Sequence, residues 1–167
     1  MSDGNGVKTL LILRHGKARP DSPEHDFARG LKKRGRRQAE QAGQEIVRQG
    51  IRLDLVISSA ARRARQTAKR AARTAGYAGS TVKLDSLYLA GLTRHLEVLA
   101  GLDDACRTVL LVGHNPDLED LVSRLSGREL PLPTGALVGI DLDTPSWNTL
   151  TGTPGRLRFV FVPGRSA

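Results

Sequence analysis

Apolar residues in this chain come in short continuous runs, separated by longer stretches in which they recur every three or four positions. The first run, Leu10-Leu11-Ile12-Leu13, lies within residues 8–13 and reads as a buried strand. Residues 31–49 read as a helix, with Ala39, Ala42 and Ile46 on one face and Gly50 at its end. A second short strand spans 53–57. Ser58 and Ser59 then offer N-caps for a helix running to Ala75, with alanines at 61, 64, 68, 71, 72 and 75 along one side. A short edge strand over 82–84, a short helix over 93–102 and a strongly apolar strand over 108–112 follow. The next helix has the most complete signal. Asn115 suits the N-cap, Pro116 the first helical position, and Asp117, Glu119 and Asp120 the positive helix start. Leu118, Leu121, Val122 and Leu125 keep helical spacing, and Gly127 closes it. Residues 136–141 and 156–162 read as two last strands joined by a loop containing Pro and Gly, and 20–29 as a polar loop. Strands alternating with helices predict one α/β domain over 1–167, a three-layer sandwich around a mostly parallel central sheet. The direction of the last strand is left open by this pattern.

Composition narrows the class. A hydrophobic share of 39% over 167 residues is enough for one packed core, and residues 1–6 read as a flexible polar lead-in. Cys106 is the single cysteine, so no intrachain disulfide can form and a reducing compartment is expected. The N-terminus lacks the apolar core of a signal peptide, and no apolar run reaches membrane-spanning length. A cytoplasmic location without membrane attachment is the expectation. The formal net charge is +9, with many cations in two clusters, 32–37 and 62–73. Three Phe, two Tyr and one Trp are too few for a base-stacking platform, which weighs against nucleic acid. An acidic partner or a phosphorylated substrate explains the charge equally well.

The chemistry concentrates where strands stop. Arg14-His15-Gly16 follows the first strand, and Gly16 lets the backbone turn sharply or approach a ligand. His114-Asn115-Pro116 follows the strand at 108–112. Between them, Ser58-Ser59-Ala60-Ala61-Arg62-Arg63-Ala64-Arg65-Gln66-Thr67-Ala68 also follows a strand and opens a helix. Ligands of open α/β sheets bind beyond the carboxyl ends of strands, and arginine forks suit phosphate oxygens. Two imidazoles and at least two arginines can therefore converge on an anion, with His15 as the candidate nucleophile.

These segments resemble the histidine phosphatase superfamily, also called phosphoglycerate mutase-like, and within it the small SixA-like phosphohistidine phosphatases. The resemblance rests on Leu13-Arg14-His15-Gly16, on Asp26 to Leu31 leading into Arg34-Gly35-Arg36-Arg37-Gln38-Ala39, on Arg63 to Ala68, on Leu87-Tyr88, and on Gly113-His114-Asn115-Pro116. It implies a phosphoglycerate mutase-like fold in which His15 attacks phosphorus. Arg14, Arg63 and His114 would hold the phosphoryl oxygens, His114 as imidazolium when a dianion is present. Gly16 and Asn115 are carried as substrate-binding residues. Water would then hydrolyse the phosphohistidine. No cofactor is implied, and no compact His/Asp/Glu cluster suggests a metal. The expected partner is a phosphorylated protein such as a histidine phosphotransfer domain. The alternatives are a broad-specificity phosphatase for small phosphorylated molecules, or a non-catalytic phospho- or nucleic-acid-binding module. Oligomeric state has no signal in the sequence.

One departure matters. Many superfamily members carry a glutamate acid shortly after the segment matching Leu87-Tyr88, where this chain has Leu89-Ala90-Gly91. A weak acid handicaps alkoxide leaving groups most, so phosphoramidates are expected to be favoured over simple esters. Asp26 and Arg29 are expected to brace their loop, Gln66 and Thr67 to pack the helix, and His25 and His95 to lie at the surface. Arg62, Arg65, Arg70 and Arg73 are expected to be solvated, and Trp147 to pack near the last strands.

Overall fold

The computed structural model describes residues 6–20 and 23–164. The lead-in expected at 1–6 therefore lies, except for Gly6, outside the described residues. Six strands form one sheet: β1 (Lys8–Arg14), β2 (Leu55–Ser59), β3 (Thr81–Leu84), β4 (Thr108–Gly113), β5 (Leu137–Leu142) and β6 (Gly155–Phe161). Four helices cover it: α1 (Lys33–Arg48), α2 (Arg62–Thr74), α3 (Gly91–Ala100) and α4 (Asp117–Ser126). The strand order is β3-β2-β4-β1-β5-β6. The first four of these strands pair in parallel, and the β1/β5 and β5/β6 pairs are antiparallel. This is the α/β fold with a mostly parallel sheet that strand–helix alternation predicts. None of the described helices is long and apolar enough to cross a membrane.

The apolar run of β1 is buried on both faces. Leu10 and Ile12 point into a core shared with Val109, Leu111 and the α4 residues Leu118, Leu121 and Val122. Leu11 and Leu13 point the other way, toward Ala42 and Ile46 of α1 and Ala64, Ala68 and Ala71 of α2. Strand alternation thus feeds two cores from one segment. Burying each such leucine or isoleucine contributes about 1.5–3 kcal/mol. Trp147, in a short 3₁₀ helix (Trp147–Gly152), is fully buried, and its indole N–H donates to Cys106 O at 2.7 Å.

The strand that reverses is β5. A β4–α4 unit would ordinarily lead to another parallel strand. Here the chain after α4 returns to the carboxyl end of β1 before pairing. Leu132 N–H donates to Glu119 Oε2, in the first turn of α4, and Gly135 N–H donates to Arg14 O and His15 O. β5 therefore starts where β1 ends and runs back along it, while β6 again points with β1. Helix starts differ too. β2 extends through Ser59, so neither serine caps α2, which begins after Ala61 without a side-chain cap. Pro116 rather than Asn115 occupies the cap of α4. The loop expected at 20–29 contains a 3₁₀ turn, Pro23–Ala28.

Candidate active site

Three parallel neighbours, β1, β4 and β2, deliver the site from one end of the sheet. His15 follows β1, His114 follows β4, and Arg63 lies in the first turn of α2 after β2. All three side chains border one cavity of about 260 Å³, with Arg14, Lys17 and Arg29. The His15 and His114 rings lie 5.2 Å apart, centre to centre. His15 Nδ1–H donates to Gly16 O at 2.8 Å, which defines its neutral tautomer and leaves the lone pair on Nε2. Arg63 Nε–H faces that atom at 3.4 Å. Burial lowers the His15 pKa to about 4, Arg63, Arg14 and Arg29 add to the effect, and the Gly16 carbonyl opposes it. The ring is thus neutral at pH 7 and able to act as a nucleophile.

His114 is held differently. Its Nε2 is hydrogen-bonded to Ser59 Oγ at 2.8 Å, with either atom able to donate. Burial lowers its pKa to about 3, helped by His15 and Arg63 and opposed by Asp26. A bound dianion would push that value back up and favour the imidazolium. Arg14 donates from Nη1 to Leu132 O at 2.9 Å. Its pKa falls through burial, with Glu119 opposing and Arg63 adding, yet a guanidinium stays charged. Arg14 Nε and His114 Nδ1 are buried without a hydrogen-bond partner among the described residues. Unpaired buried polar atoms are costly, and an oxyanion would supply an acceptor to Arg14 Nε, and to His114 Nδ1 when that nitrogen carries a proton.

A carboxylate knot joins Arg63, Arg29 and Tyr88. Asp26 Oδ1 accepts from Arg29 Nε, and Asp26 Oδ2 accepts from Arg63 Nη2, both at 3.0 Å. Tyr88 O–H also donates to Asp26 Oδ2. Arg63 Nη1 donates to Asp26 O at 2.7 Å. The Tyr88 hydroxyl is the main cause of an Asp26 pKa near 2, with Arg63 and Arg29 adding and burial opposing. The Tyr88 ring stands edge-on to both His114 and Phe27. Asp26 and Arg29 do form the ion pair that braces their loop, but the same carboxylate also orients Arg63. Arg63 and Tyr88 lie 37 and 62 residues from Asp26, beyond the reach of any local pattern.

Several expected positions move. The Gly16 N–H donates to Thr67 Oγ1 and its carbonyl accepts from His15. Its lack of a side chain answers a backbone contact instead, since a Cβ there would meet Gly35 O at 2.4 Å. Asn115 borders the cavity, but its Nδ2 donates to Glu119 Oε2 and Leu132 O and so ties the β5 approach to α4. His95 is 1% exposed rather than at the surface, because it sits three residues after Leu92 and four before Leu99 on the core-facing side of α3. His25 is exposed. Arg65 donates to Ala60 O and Arg70 pairs with Glu40, while Arg62 and Arg73 are exposed. The segment at 89–91 places Leu89 at the cavity, 71% exposed and at φ +54°, a backbone region non-glycine residues rarely occupy. Asp85 is exposed and Glu97 pairs with Arg94, and no carboxylate of the described residues lines the cavity.

Known proteins share this fold. The family model for the histidine phosphatase superfamily (branch 1) matches residues 10–87. Comparison with curated proteins finds no significant match. Among solved structures, a candidate phosphohistidine phosphatase SixA from Agrobacterium tumefaciens is 30% identical, with 93% of this chain and 99% of that one covered at a TM-score of 0.79. A candidate phosphohistidine phosphatase SixA from Nakamurella multipartitia is 27% identical, with 95% and 98% covered at a TM-score of 0.82. A protein histidine phosphatase SixA complexed with tungstate shares the fold at 24% identity, with 93% and 97% covered and a TM-score of 0.77. With its family-model match, its 30% identical relative and its near-complete structural overlap, the chain belongs to the histidine phosphatase superfamily.

Proposed function

We propose that the protein is a phosphohistidine phosphatase that works through a phosphoenzyme on His15. The observation that carries this reading is the neutral, buried His15 with its Nδ1–H fixed on Gly16 O and its Nε2 turned to Arg63. Nε2 bonds to phosphorus as the substrate's phosphorus–nitrogen bond breaks, and the leaving ring, protonated on its other nitrogen, departs as neutral imidazole. Arg14, Arg63 and His114 hold the phosphoryl oxygens as charge shifts between them. Water then cleaves the phosphorus–nitrogen bond to His15 and restores the free imidazole.

The substrate class follows from the leaving group. No carboxylate of the described residues borders the cavity, and Asp26, with a pKa near 2, is a poor proton donor at pH 7. An alkoxide needs a proton as it leaves, whereas the imidazole of a phosphohistidine needs much less help. The four cations Arg14, Lys17, Arg29 and Arg63 around a small open cavity suit a phosphoryl group presented by another protein, such as a phosphotransfer domain in the cytoplasm.

The test is to incubate wild type and His15→Ala with a protein labelled as phosphohistidine. Acid-labile label on wild type alone is the expected result. Label on neither protein, with no phosphate released, refutes the proposal. Equal turnover of an unactivated alkyl phosphate would replace the phosphoramidate preference with a broad phosphomonoesterase.

A further inference from the structure

The nucleophile's tautomer depends on a carbonyl that is itself held from behind. Gly16 O is one end of the Gly16–Lys17 peptide. The other end, Lys17 N–H, donates to Gln38 Oε1 at 2.8 Å. Gln38 projects from α1 and is only 5% exposed. The preceding peptide, between His15 and Gly16, is held in the same manner. Its N–H donates to Thr67 Oγ1 at 3.0 Å, and the Thr67 hydroxyl donates in turn to Arg63 O at 2.8 Å. Thr67 is fully buried in α2. Two side chains, one from each helix on this face, thus grip the two peptide units that flank Gly16.

Glycine makes this grip necessary. The close approach of Gly16 to Gly35 excludes a side chain, and a residue without Cβ lets its neighbouring peptides rotate at little cost. A rotated Gly16–Lys17 peptide would turn its carbonyl away from His15 Nδ1. The ring would then be free to carry its proton on Nε2, where attack on phosphorus is impossible. Gln38 also acts along the hydrogen-bond chain: an acceptor on the N–H end of a peptide strengthens the acceptor at its C=O end.

Taking His15 as the nucleophile of the proposed reaction, we propose that Gln38 and Thr67 are its positioning residues. Through the peptides on either side of Gly16 they hold His15 as the Nδ1–H tautomer with its lone pair on Nε2. Neither touches the substrate. Thr67 also links the nucleophile's loop to the main chain of Arg63, so the attacking atom and one of its phosphoryl-binding partners share a support.

The experiment compares Gln38→Met, Thr67→Val and Thr67→Ser with wild type by two readouts. The first is the ¹⁵N shifts of the His15 ring in the resting protein, which report the tautomer without any turnover. The second is single-turnover phosphoenzyme formation from phosphoramidate. Gln38→Met and Thr67→Val should slow phosphoryl transfer about 10- to 100-fold, with little change in the concentration for half-maximal rate. Both should show a His15 tautomer mixture, while Thr67→Ser restores the wild-type shifts and rate. Wild-type shifts in folded Gln38→Met and Thr67→Val overturn the proposal, as does a loss in Thr67→Ser equal to that in Thr67→Val. Shifts that move as expected in Gln38→Met and Thr67→Val, with a wild type that never traps phosphate, would sink the nucleophile reading while leaving the positioning of the ring intact.

Discussion

His15 and His114 look interchangeable along the chain, each directly after a buried strand, yet they are held by opposite nitrogens. His15 is tied through Nδ1 to the main chain, leaving Nε2 toward Arg63. His114 is tied through Nε2 to a side chain, Ser59, and its Nδ1 has no partner among the described residues. The difference separates their tasks. A ring clamped by backbone keeps one tautomer and one lone pair, as a nucleophile requires. A ring whose hydroxyl partner can both donate and accept can change protonation without losing its hydrogen bond, which suits a group that meets a dianion. Position at a strand end puts each histidine at the cavity, and the proposed roles rest on which ring nitrogen is tied and to what.

The sharpest way to break the contrast is to remove each ring. His15→Ala should lose phosphoryl transfer by at least about 10⁴-fold, the scale seen when a covalent nucleophile is deleted. His114→Ala should lose about 10²- to 10³-fold, as for one oxyanion-stabilising donor, and should still trap label on His15 slowly. Trapping experiments with both variants would collapse the distinction if they showed equal residual labelling.

Acid stability gives the next largest effect. Both histidines have pKa values below their usual 6.5, about 4 for His15 and about 3 for His114. Between those values and 6.5 the unfolded chain binds protons that the folded protein refuses, so stability falls as pH drops through this window. Above 6.5 both states are neutral and the histidines add no slope. Melting temperatures of His15→Gln/His114→Gln should accordingly decline less between pH 6.5 and 4 than those of wild type. A parallel decline in the two proteins would mean that the rings are not desolvated as the geometry requires.

The smallest effect should come from Ser59→Ala. Losing one orienting hydrogen bond is worth about 1 kcal/mol, or roughly fivefold in rate. The loss should appear in steps that use His114 and leave the resting His15 ring shifts unchanged. A change in the His15 shifts would show that the two rings are not separately held.

Much of this site could be read from residue order. The run Leu10–Leu13 fixes where β1 stops, while Arg63 is singled out from its exposed neighbour Arg62 only by the family resemblance of the segment from Ser59 to Ala68. The features that escaped depend on distant pairings or on a residue's place on a helix face. Asp26 meets Arg63 and Tyr88 only after β2 and β3 have been brought beside β1 and β4. The burial of His95 follows from its spacing to Leu92 and Leu99, a polar residue on an apolar helix face, which residue type alone does not signal. The reversal of β5 is encoded in polar contacts of Leu132 and Gly135 with α4 and β1, which leave no trace in hydrophobic periodicity.

The central place of β1 divides the mouth into two kinds of territory. Arg14 and His15 stand on a strand hydrogen-bonded on both sides, by β4 and β5, so their wall cannot yield to a ligand. The opposite wall, Arg29 and Leu89, is carried on short pieces of chain joined through Asp26 and Tyr88. Substitutions at Leu89 can therefore change which molecules are admitted, whereas substitutions at Asp26 also disturb Arg63. A search for new substrate ranges by mutagenesis belongs on that wall.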